Sequence, residues 1–179
     1  MNRSGLREAA VLVPLWRDAA GVWRVVIVRR SEFGVHSGQL AFPGGARDER
    51  DASLQATALR EAHEEIGLPP QAARVIAELP GVETRVSSFV ITPFLAVIDR
   101  PSEWLPDARE IAEVLEPELA TFLAPQARAY AHDLLPPGWE AVRLPYYPVG
   151  PHRLWGASER ILHPLLARIA SGEWAEFGI

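Results

Sequence analysis

Nine consecutive residues, Arg60-Glu61-Ala62-His63-Glu64-Glu65-Ile66-Gly67-Leu68, hold the densest chemistry in the chain. At about 100° per residue, Leu54, Ala58, Leu59, Ala62 and Ile66 share an arc of roughly 140°, which predicts the buried face of a helix. Glu61, Glu64 and Glu65 share an adjoining arc of roughly 100°. Glu61 faces Glu64 at i+3 and Glu65 at i+4, like-charge pairs that each cost about a few tenths of a kcal/mol. All three sit in the last turns before Gly67, at the negative end of the helix dipole, where an anion is disfavoured by about 0.3–1 kcal/mol. Arg60, four residues before Glu64, offsets part of this. A solvated acidic face is the plain alternative. Two penalties stacked in one turn, beside a buried stripe and the Gly44-Gly45 loop, favour a bound cation instead. Oxygen ligands without cysteine or paired histidines suit Mg²⁺ or Mn²⁺, ions that are usually shared with substrate phosphates.

The surrounding elements must present this helix. Ser53 is a predicted N-cap for a helix to about Ile66; Gly67 stops it and Pro69-Pro70 prevents continuation. Ala9–Trp16 and Trp23–Val28 read as a hairpin of two buried strands joined through Arg17-Asp18-Ala19-Ala20-Gly21. Arg29–Gly38 reads as a loop, Gln39–Phe42 as a short strand ended by Pro43-Gly44-Gly45, and Ala46–Ala52 as a charged loop. Strands are predicted at Arg74–Leu79, Phe89–Ile98, Glu110–Leu115 and Ala141–Tyr147, with a short helix from Pro117 to about Leu123. Pro101–Arg109 is predicted as a loop and Gln126–Trp139 as irregular. A helix over Ser158–Ala170 places Ile161, Leu162, Leu165, Leu166 and Ile169 on one face. Antiparallel-looking strand groups with two main helices predict an α/β fold with a mixed sheet between helices.

The chain has 179 residues, 48% of them apolar and 23% charged, which favours one globular domain over residues 1–179. No cysteine is present, which excludes disulfides, thiolate metal sites and cysteine nucleophiles. All 18 basic residues are arginine, so Schiff-base chemistry and a P-loop lysine are excluded too. The net charge of −5 argues against a nucleic-acid partner. The longest uncharged run, Val86–Ile98, has 13 residues, whereas a membrane span needs about 18 or more. Ala9–Trp16 is short, holds Pro14 and follows Glu8, so it reads as a strand and not as a signal peptide. A cytoplasmic protein with no membrane partner is the expectation.

Arg60 to Leu68 resembles the tail of the motif of Nudix hydrolases: Arg-Glu-aliphatic-x-Glu-Glu-x-Gly-aliphatic, preceded by a glycine and a loop with an acidic residue. Ala62 is smaller than usual. Asp51 stands where a glutamate is usual, and the interval from Asp51 to Arg60 is one residue longer, so the resemblance assigns Asp51 no role. It implies a Nudix-type α/β/α sandwich with a mixed β-sheet and hydrolysis of a nucleoside diphosphate linked to another group. It also implies Glu61 and Glu65 as principal metal ligands, Glu64 as a further one, Arg60 as the arginine that orients a glutamate, and the Gly45 carbonyl as a metal contact.

Arg30-Ser31, Gly38-Gln39 and Phe42-Pro43-Gly44-Gly45 resemble the coenzyme A pyrophosphatase branch of this family. Asp48, Asp51, Thr57, Ala58 and Leu59 do so as well, as does Tyr146–Leu162 with Arg153-Leu154-Trp155-Gly156-Ala157. The loop from Ser31 to Gly38 is one residue short, and Val35 lies near a common arginine position. The branch implies coenzyme A and its oxidised and acylated forms as substrate, with 4′-phosphopantetheine and adenosine 3′,5′-bisphosphate as products. Its motifs point to Arg30, His36, Gly38, Gln39, Phe42 and Gly44 as substrate-binding residues. Arg29 and Arg30 alternate along an extended segment, and Arg30 is the one that fits the motif. Some Nudix enzymes take their general base from a distant loop; Glu110, ahead of Glu113, is the candidate here, beside Glu61 itself. Other nucleoside diphosphate derivatives such as ADP-ribose or a dinucleoside polyphosphate, and a non-catalytic ligand sensor, are the alternatives.

Overall fold

The computed structural model describes residues 6–32, 37–84, 88–134 and 142–179. In chain order the strands and helices are β1 (Arg7–Arg17), β2 (Trp23–Val25), β3 (Ile27–Arg30), β4 (Leu40–Ala41), β5 (Gly44–Ala46), α1 (Leu54–Ile66), β6 (Ala73–Glu78), β7 (Val82–Glu83), β8 (Phe89–Ile98), β9 (Ile111–Leu115), α2 (Leu119–Leu123), β10 (Ala129–Ala131), β11 (Leu144–Val149), β12 (His152–Trp155) and α3 (Ala157–Ala170).

β1 and β8 are near-continuous apolar runs, as a strand covered on both faces requires. They lie side by side in parallel, from Arg7 opposite Phe89 to Leu15 opposite Val97. Around this pair a mixed sheet is ordered β2-β1-β8-β6, with β5 added to β1 and β7 to β8. Alternate residues face opposite sides. Ala10, Leu12, Phe94, Ala96 and Ile98 meet Ala58, Ala62 and Ile66 of α1. Val13, Leu15 and Leu95 meet Ile161, Leu162, Leu165, Leu166 and Ile169 of α3 on the other side. The result is the expected α/β/α arrangement with a mixed sheet. Among the described residues, no helix is long and apolar enough to cross a membrane.

The cap residues do what their types predict. The Ser53 side chain accepts from the Ala56 N–H, and Gly67 sits in the left-handed region at φ 71°, donating to the His63 carbonyl. The strands depart from expectation in several places: β7 lies where no strand is predicted, and Arg29 and Arg30, read as the start of a loop, belong to β3. The predicted strand Trp23–Val28 divides at Val26: β2 stays on β1, while β3 turns away to pair with β4 and β9. Gly44–Ala46, expected as turn and loop, is a strand antiparallel to β1. β10 and β12 flank β11 in a separate three-stranded sheet where neither was expected. β11 begins at Leu144, and Ala141 lies outside the described residues. These short strands have too few residues to show a period-2 pattern, and only their partners reveal them.

β5 depends on its glycine. A Cβ on Gly44 would collide with the Ala10 carbonyl oxygen and stand 2.6 Å from the Val11 Cα, both backbone atoms of the central strand. Neither can yield without moving β1. Gly44→Ala is expected to lower stability by about 3 kcal/mol or more, the upper end of what overpacking costs, because the atoms it meets are backbone. Gly150→Ala, at φ 56° with open space around it, should cost only about 1–2 kcal/mol from left-handed backbone strain. Urea unfolding midpoints of the two variants test the difference; equal losses would show that β5 can move off β1.

Candidate functional site

α1 lies on the sheet with Ala58, Ala62 and Ile66 inward, and this rotation sets the depth of each glutamate. Glu65 goes under: it is 3% exposed. One carboxylate oxygen accepts the Gly44 N–H at 3.0 Å, and the Arg30 guanidinium stands 3.5 Å from the other. Glu61 is half-buried against the second glycine of the strand, where a Cβ on Gly45 would lie 2.5 Å from its carboxyl group. Glu64 stays out, with its side chain 56% exposed. The shared arc predicted from the sequence therefore divides. Glu61 and Glu65 enter the site, Glu64 borders solvent, and among the described residues no three acidic or histidine side chains are gathered into one cage.

Burial acts on the two inner carboxyls as desolvation demands. It pushes the Glu65 pKa up to about 7, against the pull of the Gly44 N–H and Arg30, with Glu61 and Glu110 adding repulsion. It also raises Glu61, whose nearest relief is Arg60 at 3.0 Å. A site that holds two mutually repelling carboxylates largely away from water, with a third nearby on Glu110, suits a cation. The donor set is hard oxygen, and the missing Cβ of Gly45 leaves its backbone open beside Glu61. The residues present therefore fit Mg²⁺ or Mn²⁺.

Arg60 is the hub of the helix. It donates to both oxygens of Asp51, at 2.9 and 3.0 Å, to Glu64 at 2.8 Å and to the Ala46 carbonyl at 3.3 Å. Asp51, to which the sequence assigned no role, is buried and also accepts from the Thr57 hydroxyl and the Asp48 N–H, each at 2.9 Å. The Arg60 fork holds its carboxyl far below the usual carboxylate range. The motif itself carries the signal: the side chain is one methylene shorter than glutamate and the interval one residue longer, and the carboxylate nonetheless meets the guanidinium.

Arg29 and Arg30 point to different neighbours. Arg30 faces Glu65 and, at 3.8 Å, Glu110; Arg29 pairs with Glu32 and Glu113, and Glu113 also meets His152. Glu110 thus stands with the inner carboxylates, and Glu113 stands apart from them. The loop that carries Glu110 is tied down at both ends. Leu105 and Asp107 donate backbone N–H groups to the Ile66 and Glu65 carbonyls, and Ser31 donates to the Glu110 and Arg109 carbonyls. Gly38 occupies a tight turn at φ 68° and donates to the Arg30 and Ser31 carbonyls; the Gln39 carbonyl accepts from Arg30. Phe42, expected to contact substrate, is 2% exposed and packs in the α3-side core. Its ring has no face to offer a ligand, because β4 and β5 turn it under the sheet. His36 lies outside the described residues.

The profile of the NUDIX domain matches residues 6–136. An uncharacterized Nudix hydrolase NudL from Enterobacter sp. (strain 638) is 43% identical over 118 residues, 65% of this chain and 60% of that protein. One of the same description from Cronobacter sakazakii is 44% identical over 126 residues, 69% of this chain and 64% of that protein. The match thus spans 60–64% of the length of these curated relatives. Among solved structures, a MutT/nudix family protein from Enterococcus faecalis aligns with a TM-score of 0.63 at 17% identity, over 97% of this chain and 66% of that one. A Nudix hydrolase from M. smegmatis, RenU, aligns at 0.55 with 26% identity, over 64% and 72%.

The Asp51–Arg60 fork has a measurable pH signature. A carboxyl whose folded pKa lies below its unfolded value of about 3.9 contributes stability that is fully present above that value and is lost as the pH falls toward the folded one. Asp51→Asn is expected to cost about 2–3 kcal/mol at pH 7, the worth of hydrogen bonds to a charged group. The gap between parent and variant should close as pH is lowered below about 4. Chemical denaturation of both proteins from pH 7 to pH 2 checks it; a gap that stays constant would assign the loss to packing.

Proposed function

The chain belongs to the NUDIX domain family, and from that premise we propose that it hydrolyses the pyrophosphate bond of coenzyme A and its oxidised and acylated derivatives. The products would be 4′-phosphopantetheine and adenosine 3′,5′-bisphosphate, and residues 1–179 would act as one domain. The observation that carries the catalytic reading is the pair of inner carboxylates, buried Glu65 and half-buried Glu61, set against the side-chain-free backbone of Gly44-Gly45. The coenzyme A reading is supported by the Arg30-Ser31, Gly38-Gln39 and Phe42-Pro43-Gly44-Gly45 motifs.

Glu61 and Glu65 would hold Mg²⁺ or Mn²⁺, with Glu64 at the solvent border and the Gly45 carbonyl as the further contacts that the motif implies. Such an ion neutralises pyrophosphate oxygens and makes bound water more acidic. The chain's own groups do the rest. Arg60, fixed by Asp51, orients Glu61 and Glu64. Arg30, placed beside Glu65 at the end of β3, supplies a planar fork suited to phosphate oxygens. Glu110 would accept the proton of the attacking water, a role supported by its ion pair with Arg30 and by the backbone bonds that tether its loop. Gly38, Gln39 and Gly44 shape the substrate side of the site, and His36 completes the proposed binding set.

A substrate panel with product masses tests the reading. Coenzyme A should exceed ADP-ribose in kcat/KM by at least ~10-fold, or about 1.4 kcal/mol of transition-state binding. Equal values would remove coenzyme A specificity and leave a broader diphosphate hydrolase. Glu65→Gln keeps shape but removes a buried charge, so turnover should drop by at least ~100-fold with the fold intact. Near-parent turnover at saturating Mg²⁺ would sink the carboxylate assignment.

A further inference from the structure

We infer that Arg30 is a resident counter-cation of the carboxylate site, displaced from Glu65 when a divalent cation binds and thereby released toward substrate phosphate. This rests on the reading of Glu61 and Glu65 as a metal platform. Two arginines serve the two inner carboxylates, Arg60 beside Glu61 and Arg30 beside Glu65, and they are held in different ways. Arg60 is forked onto both oxygens of the buried Asp51 and bonded to the Ala46 carbonyl. It cannot leave without stranding a buried charge. Arg30 reaches in from the end of β3, and among the described residues its guanidinium makes two ion pairs, 3.5 Å to Glu65 and 3.8 Å to Glu110. Both exceed hydrogen-bond length. Arg30 is drawn by charge and is not tied by directional bonds.

The position of Arg30 is therefore a compensation, and a replaceable one. Among the described residues Glu65 has one directional partner, the Gly44 N–H, so its remaining charge needs a cation nearby. A dication that takes the Glu65 carboxylate competes with the guanidinium for the same oxygens and repels it at close range. The freed guanidinium has a phosphate as its next partner, because the planar fork matches phosphate oxygens. Binding of the cation and availability of Arg30 to substrate thus become one linked equilibrium, and the linkage acts in both directions. A residue that only contacted substrate would show no such link.

Mn²⁺ binding to the full chain without substrate, read by electron paramagnetic resonance at pH 8.5, decides it. Arg30→Gln should bind Mn²⁺ at least about fivefold more tightly than the parent, the lower end of ordinary coupling between sites. Arg30→Met, which keeps the aliphatic stem, should tighten likewise, and Arg30→Lys, which keeps the charge, should stay near the parent. Unchanged or weaker binding in both Arg30→Gln and Arg30→Met overturns the inference and leaves Arg30 as a substrate contact alone. The Glu61→Gln/Glu65→Gln variant, run in the same series, separates the two readings. If it loses Mn²⁺ while Arg30→Gln matches the parent, the platform stands and the exchange fails. If the parent binds no Mn²⁺ at all, both fail.

Discussion

Glu61 and Glu65 face the sheet side of their helix, and they can lie there because the strand beneath them begins with two glycines. Burying a carboxylate costs several kcal/mol unless something takes its charge or its lone pairs. Here the Gly44 N–H takes one oxygen of Glu65, Arg30 stands by the other, and Arg60 meets Glu61. The glycine is demanded twice, since a side chain at Gly44 would strike β1 and one at Gly45 would strike Glu61. The central strand, the carboxylate helix and the glycine strand are consequently one unit, and none can shift alone.

The end of α1 shows how far this unit extends. A helix leaves its last four carbonyls without intrahelical partners. In this chain three of them are met: the His63 carbonyl receives the Gly67 N–H, and those of Glu65 and Ile66 receive Asp107 and Leu105 from a loop about forty residues away in sequence. The same loop runs into Glu110, which Ser31 ties to the end of β3. Capping the helix and placing a third carboxylate opposite the first two are therefore a single act of folding. The opposite face of the sheet is closed by α3, whose buried Glu159 pairs with Arg128 next to β10 at 2.8 Å. That ion pair joins the small sheet β10-β11-β12 to the main body.

Much of this was legible in the residues. The bounds of α1, its Ser53 and Gly67 caps, its apolar stripe, the full span of β8 and the inward face of α3 all follow from periodicity and cap chemistry. These features report interactions within about one helical turn or one pleat, so they are written locally. The acidic run on α1 also announced itself, because two like-charge pairs at the wrong end of a helix dipole are a local cost that a sequence shows directly.

Tertiary structure decided what local rules cannot reach. Glu64 and Glu65 are neighbours on one arc, yet one is exposed and the other buried, because the sheet edge falls between them. Phe42 sits in a motif associated with substrate and is core, since β4 and β5 turn its ring inward. Asp51 became the anchor of Arg60 only when the loop closed over nine residues. Gly44–Ala46 became a strand only because β1, more than thirty residues earlier, offered its edge. In each case the deciding partner is distant along the chain, and burial and ladder pairing are properties of that partner as much as of the residue itself.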